Sequence, residues 1–215
     1  MQIAKGGISW IVPVLGLFIF FCIASVFTTD TMQFILIFLS LCSGMLTSLF
    51  IIFFRDPNRS IGTEIIASAD GIIRKIGSIS DSEIGDAWFV STFMNIYHVH
   101  VNRMPMTGTI QKITHHPGSH FPAFKKESDR NERVVILVKT AKGLFKIVLI
   151  AGTLARRIVL YVKPGDMVKK GERISLIRLG SRVDVYLAKE LNIRIQVNEK
   201  DQVKAGESTL ATSNV

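Results

Sequence analysis

The chain has 215 residues, 48% of them hydrophobic, and a formal net charge of +9 from 26 Lys and Arg against 17 Asp and Glu. Its only cysteines, Cys22 and Cys42, lie inside apolar runs, which excludes a C-x-x-C metal site and an extracellular disulfide framework and leaves them as packing residues. The sequence carries no nucleic-acid-binding motif and no basic stretch interleaved with aromatics, so the positive charge is read against anionic lipid and not against nucleic acid.

Residues 1–54 hold a single cation, Lys5, and a single anion, Asp30. Within them, 8–27 and 32–54 are uncharged runs of 20 and 23 residues, and a membrane-spanning helix needs about 20. Thr28-Thr29-Asp30-Thr31 is the one polar break, which predicts a tight helical hairpin. Lys5 before the first run, with Arg55 and Arg59 after the second, puts both ends on the cytoplasmic side of a cell membrane. A cleavable signal peptide fits poorly, because its basic region would be one lysine and a second full span follows at once. A hairpin that dips into one leaflet is the alternative to a full crossing. The expected division is a membrane anchor over 1–54 and a soluble domain over 55–215.

From 65 onward the pattern is short strands with turn punctuation, so the fold class is mainly β with minor α, a sandwich or barrel. "IIASADGIIRKIGSI" (65–79) predicts two strands joined as a hairpin at Asp70-Gly71. "WFVSTFMNIYHVHVNRM" (88–104) alternates over its second half, with Ile96, His98, His100 and Asn102 on one face. "RVVILVKT" and "LFKIVLIAGTLARRIVLYV" add Val- and Ile-rich strands, and 186–192 holds at most a helical turn. "LIRLGSRVDVYL" (176–187) is a strand pattern broken at Gly180-Ser181-Arg182, where a glycine marks a bulge or a close backbone approach. Gly-Ser also occurs at 77–78 and 118–119, so the dipeptide alone decides nothing.

An internal echo runs through the C-terminal part. "VKPGDMVKKGERI" starts at 162 and "VNEKDQVKAGEST" at 197, sharing D-x-V-K-x-G-E in one register. Two copies of a hairpin predict pseudo-twofold strand exchange, as in lipoyl- and biotinyl-type sandwiches. Those carriers present a modified Lys between the halves. Here the segment between the repeats presents Gly180-Ser181, and its one candidate Lys, Lys189, is poorly placed.

All five histidines fall between 98 and 120: His98, His100, His115, His116 and His120. No Asp, Glu or Cys lies between 87 and 126 to complete a common zinc set, so acid–base or anion-binding work suits them better than a metal. A structural role for any single one is the standing alternative. G-x-S-x-G is absent around Ser181, which leaves an α/β-hydrolase elbow unsupported.

Taken together, "FFRDPNR" (53–59), "SADGII" (68–73), "VHVNRMPMTGTI" (99–110), "NER" (131–133) and "VKPGDMVKKGERISLIRLGSRVDVYL" (162–187) resemble the short-type, archaetidylserine-decarboxylase-like phosphatidylserine decarboxylase proenzymes. The resemblance implies a pyruvoyl enzyme that cleaves itself at Gly180-Ser181. The serine hydroxyl attacks the preceding carbonyl, and the chain divides into a large chain, 1–180, and a small chain, 181–215, that begins with pyruvate derived from Ser181. That carbonyl would form an imine with the serine head group of phosphatidylserine or archaetidylserine, and CO₂ would leave to give the ethanolamine lipid. By the same resemblance His100 is a candidate proton donor, Asp70 is linked to self-processing, and Arg103 and Arg182 are the expected substrate contacts. Arg103 stands where longer enzymes have the processing histidine, and His116 is the substitute expected here. Leu179 replaces a more usual Phe, and His98 a small or apolar residue. Expected partners are membrane lipid, the two chains of one proenzyme and, compatibly, a second copy of the protein. The rival expectation is a membrane-tethered lipoyl-like carrier without catalysis.

Overall fold

The computed structural model describes residues 2–119, 130–152, 158–178 and 181–213. His120, Leu179 and Gly180 lie outside them. The chain separates into two units, Met1–Asn58 and Arg59–Val215.

In the first unit β1 (Gln2–Ile3) precedes two helices, α1 (Ile8–Val26) and α2 (Asp30–Phe53), and pairs antiparallel with β2 (Arg55–Asp56). Both helices are long and apolar enough to cross a bilayer. The small side chains Ser40, Ser43 and Thr47 form the buried stripe of α2. Each hydroxyl donates to a carbonyl of its own helix, at Ile37, Leu39 and Ser43 respectively, so none needs water. A Cβ built on Gly44 would come within 3.0 Å of the Phe18 ring, so the two helices approach closely there. The remaining faces expose large apolar side chains such as Phe34, Phe38 and Met45.

The second unit is built from short strands: β3 (Ile65–Ile66), β4 (Gly71–Asp81), β5 (Gly85–Met94), β6 (Val101–Arg103), β7 (Gly108–His116), β8 (Arg133–Lys139), β9 (Leu144–Ile150), β10 (Ile158–Leu160), β11 (Met167–Val168), β12 (Arg173–Ile177), β13 (Ser181–Ala188), β14 (Ile193–Ile195), β15 (Gln202–Val203) and β16 (Thr209–Ser213). One 3-10 turn, Lys189–Leu191, follows β13. An eight-stranded sheet runs β11-β7-β8-β9-β13-β5-β4-β15, and two three-stranded sheets run β10-β12-β6 and β14-β16-β3. The alternation in β8, β9 and β13 sends Ile136, Ile147, Leu149, Val183 and Val185 into one core, all essentially without exposure.

Three local expectations change. The strands around Asp70-Gly71 are not a hairpin: β3 pairs with β16, while β4 pairs with β5 and β15, so the chain passes from one sheet to another at that joint. Gly71 is required because a Cβ there would strike the Phe93 carbonyl. The stretch 88–104 is two strands with a turn between, which leaves Ile96 exposed and His100 and Asn102 fully buried, so the four residues share no single face. "LIRLGSRVDVYL" is likewise two strands, β12 and β13, in different sheets.

The internal echo is a repeat of strand registers. The large sheet's order is unchanged when β11, β7, β8 and β9 are exchanged for β15, β4, β5 and β13. Met167↔Thr109 and Val168↔Gly108 in one half match Gln202↔Ile72 and Val203↔Gly71 in the other. Both long hairpins carry a register shift at the same place, between Ile110 and Lys112 and between Ile73 and Lys75. Gly171 donates to Met104 and Gly206 to Ala67, each at 2.9 Å, from φ values of +82° and +83°. Gly108, the partner of Gly71, faces the Lys139 carbonyl as Gly71 faces that of Phe93.

These glycines give a sharp test. Gly71→Ala and Gly108→Ala should destabilise the domain by about 1–3 kcal/mol, a fall in melting temperature of roughly 2–10 °C. Gly77→Ala, where a Cβ meets nothing within 4 Å, should leave it nearly unchanged. Thermal unfolding of the three variants measures the contrast.

Candidate active site

Ser181 opens β13 and pairs with Met94, the last residue of β5. It is fully buried, and its Oγ has no hydrogen-bond partner among the described residues. On the other side of β13, Arg182 pairs with Ile150. Ala151, the residue after Ile150, is held by Asn131, whose Nδ2 donates to its carbonyl at 2.8 Å. The "NER" stretch therefore fixes the strand end beside Ser181.

Upstream, the backbone N–H of Ile177 donates to the His100 carbonyl at 3.2 Å. The segments 94–100 and 177–181 are thus tied at both ends, Met94 to Ser181 and His100 to Ile177. This brings His100 and Ser181 to opposite corners of one small window. The His100 ring is fully buried, with Nδ1 2.9 Å from the His98 carbonyl. A carbonyl only accepts, so Nδ1 carries a proton and donates it there, and Nε2 is the nitrogen that can exchange one. His98, in the turn before β6, accepts the Asn95 N–H on its own Nδ1 at 2.9 Å.

Asp70 is buried with both oxygens engaged. Oδ2 is 2.8 Å from Arg59 Nη2, and Oδ1 accepts the Ala205 N–H at 2.7 Å. It locks the joint between sheets and the second repeat turn. Arg103 is buried as well. Its Nη1 donates to the Gly171 carbonyl at 2.9 Å, and its stem passes the position where a Gly206 Cβ would stand, so it ties the two repeat turns together. Ser68 braces it, with Oγ donating to the Arg103 carbonyl at 2.7 Å.

Strand alternation separates the remaining candidates. His116 pairs with Arg133, Arg133 with Ile150 and Ile150 with Arg182, a row across the sheet that points away from the Ser181 face. The structure therefore does not bring His116 to Ser181. This row instead borders a groove of about 710 Å³ on the other face. Arg182 is clamped there on Asp184, with Nε at 3.1 Å and Nη2 at 3.0 Å, and Asp184 also accepts the Ser91 hydroxyl at 2.6 Å. Lys189 lies 3.9 Å from Asp86 and over the Trp88 ring. His115 is exposed on Glu132 at 2.9 Å.

Sequence reasoning passed over a buried polar pair. Asn102 on β6 and Ser175 on β12 are register partners, and Asn102 Nδ2 donates to Ser175 Oγ at 3.0 Å. Both are fully buried. The available signal was a serine inside the apolar run "RISLI".

The turn between β4 and β5 folds over the groove. Lys146 binds Asp81 and Glu83, and Lys112 binds Glu83 at 3.2 Å. Burial works against ionisation of Asp81, but hydrogen bonds from Lys146 and from the Glu83 and Ile84 N–H groups prevail and hold its carboxyl below the ordinary value. The Lys112 hydrogen bond does the same for Glu83, against burial and with help from Lys146. For carboxyls depressed in the folded state, the stabilisation is complete above the ordinary carboxylate pKa of about 4. It is lost as pH falls through the depressed values. Melting temperature should therefore fall more steeply below about pH 4 in the parent chain than in a Lys146→Met, Lys112→Met variant. Parallel slopes would remove the clasp from the account.

Comparison with known proteins matches residues 46–211 to the phosphatidylserine decarboxylase family model. A Methanococcoides burtonii protein named as an archaetidylserine decarboxylase proenzyme is 40% identical over 98% of this chain and 96% of its own. One of the same name from Methanosarcina mazei is 38% identical over 98% and 97%. A phosphatidylserine decarboxylase proenzyme of Streptomyces avermitilis is 44% identical over 75% of this chain and 71% of its own.

Proposed function

The chain belongs to the phosphatidylserine decarboxylase family, and from that premise we infer that it decarboxylates a serine-headed phospholipid after cleaving itself between Gly180 and Ser181. The observation that carries the reading is the Ser181 hydroxyl. It is buried, has no described partner, and stands at the crossing from β12 to β13. A buried hydroxyl left unpaired costs about 1–3 kcal/mol, and such a cost at one nucleophile is what a reacting group requires of a fold.

The cleavage step balances on the chain's own atoms plus water. Ser181 Oγ adds to the Gly180 carbonyl carbon, the C–N bond breaks, and the freed nitrogen takes the hydroxyl proton, which leaves an ester. Loss of the Ser181 Cα proton then breaks Cβ–Oγ and releases Gly180 as a carboxylate. Water displaces the nitrogen as ammonia and leaves a ketone at position 181. Ser181 fits as the source of this pyruvoyl group, being pinned to β5 and followed by a strand paired on both sides. The group supplies an electron-withdrawing carbonyl for the pair released as CO₂ departs.

In this reading His100 holds, on Nε2, the proton that the substrate α-carbon takes up; the bond from Nδ1 to the His98 carbonyl supports it by leaving Nε2 as the nitrogen that exchanges a proton. Asp70 with Arg59, and Arg103 with Gly171, hold the sheet joints around the window rigid. The two apolar helices anchor the enzyme across the membrane, with Lys5 and Arg55 keeping the catalytic domain on the cytoplasmic side. The basic surface then lies beside the lipid that carries the substrate.

The purified protein should run as two chains divided between Gly180 and Ser181, the small one lacking a free amino terminus by mass spectrometry. Ser181→Ala should remain one inactive chain, whereas Ser78→Ala and Ser119→Ala should divide normally. Two active chains from Ser181→Ala would end this reading. His100→Ala should divide yet lose turnover by roughly 10²–10⁴-fold. Membranes washed in high salt should retain the full protein, since two spans hold it and not charge alone; recovery in the supernatant would refute the anchor.

A further inference from the structure

The repeat of registers makes the domain its own control. Superposing the halves strand by strand pairs Ser181 with Gly143, since Met94 faces Ser181 across the end of β5 as Thr140 faces Gly143 across the end of β8. The same exchange pairs His100 with Thr63, Asp70 with Thr107 and Ile177 with Ser213. In the β6–β12 ladder Asn102 faces Ser175, and in the β3–β16 ladder Ile65 faces Ala211. Every one of these positions near Ser181 is therefore chemically different from its twin.

The twin half also shows where these positions converge. Thr63, Ile65, Thr107, Thr140 and Ser213 line one cavity of about 300 Å³. Their counterparts are His100, Asn102, Asp70, Met94 and Ile177, so the same strand geometry sets His100 and Asn102 on one wall with Met94, the register partner of Ser181. Ile65 and Ala211 are buried, which shows that this ladder accepts apolar side chains. The catalytic half instead buries an amide. Its nitrogen is committed to Ser175, and its Oδ1 finds no acceptor's partner among the described residues.

An unfilled acceptor in a closed site calls for a donor from outside the fold. Of the groups on a phosphoserine head, the carboxylate and the phosphodiester only accept, and the amine alone donates. We propose that Asn102 is the head-group contact for that amine, with Ser175 holding the amide so that Oδ1 faces the substrate. The proposal rests on the decarboxylase reading and adds the residue that recognises the reacting nitrogen. Because the amine is shared by substrate and product, the contact predicts equal losses for both, which a merely structural role would not produce.

The test replaces the pair by its twin. Full-length Asn102→Ile and the double variant Asn102→Ile, Ser175→Ala are purified in detergent beside the parent chain. Self-cleavage, KM and kcat for phosphatidylserine, and direct binding of phosphatidylethanolamine are measured. Both variants should divide normally, raise KM about tenfold or more, weaken phosphatidylethanolamine binding by the same factor, and change kcat less than KM. Ser175→Ala alone should give a smaller shift of the same kind. Divided Asn102→Ile enzyme with unchanged KM and product binding overturns the proposal. A variant that stays one chain also overturns it, because Asn102 would then serve self-cleavage. If the parent binds the ethanolamine lipid, loses that binding on Asn102→Ile, and never releases CO₂, the amine contact stands and the decarboxylase reading falls.

Discussion

β13 is hydrogen-bonded along both edges, to β5 from Ser181 to Ala188 and to β9 from Arg182 to Leu187. Everything near the site follows from that double pairing. It fixes the position of Ser181 to the accuracy of a sheet, and it forbids the strand from sliding to relieve strain at its first residue. The chain must also reach β13 from β12, which belongs to another sheet. Ile177 and Ser181 are four Cα steps apart, a reach of at most about 14 Å. The two described ends of that short crossing are tied down, Ile177 to His100 and Ser181 to Met94. Self-cleavage by an unactivated serine depends on such confinement more than on a strong base.

The buried polar groups divide accordingly. Asp70 with Arg59, Arg103 with Gly171, Asn131 with Ala151 and Asp184 with Arg182 and Ser91 are satisfied and serve as joints. Ser181 Oγ and Asn102 Oδ1 are left over among the described residues. The distinction matters because burial alone does not mark function: the charged side chains of these joints find their partners within the fold. What marks function is burial without satisfaction, confined here to one half of a repeated architecture whose other half has Gly143 and Ile65 in the same places.

Much of this was legible in the sequence, for physical reasons. Uncharged runs of twenty residues admit few structures, so α1 and α2 were evident. The D-x-V-K-x-G-E echo survived because each copy needs an aspartate to close a turn and a glycine at positive φ. The failures are also instructive. Asp70-Gly71 carries hairpin residues, yet its glycine answers to the Phe93 carbonyl and its aspartate to Arg59, which are contacts between sheets that no local pattern encodes. His116 looked like a base because histidines cluster in sequence. One-residue alternation in β13 separates its row from Ser181, and register is invisible until strands are paired. Asn102 and Ser175 lie in different strands, and nothing about either alone betrays that they meet.

The proposed cleavage also explains why the fold can survive losing a covalent bond in its centre. A small chain beginning at 181 would keep β13 between β5 and β9, β15 on β4, and β16 on β3. Of the strands downstream of the cut, β13, β15 and β16 are thus paired with strands from the large chain, and β14 is held through β16. Upstream, β12 stays between β10 and β6. The cut falls between β12 and β13, which belong to different sheets, and each keeps its own ladder. β6, which follows His100 and carries Asn102, keeps its pairing with β12 whether or not the chain is cut.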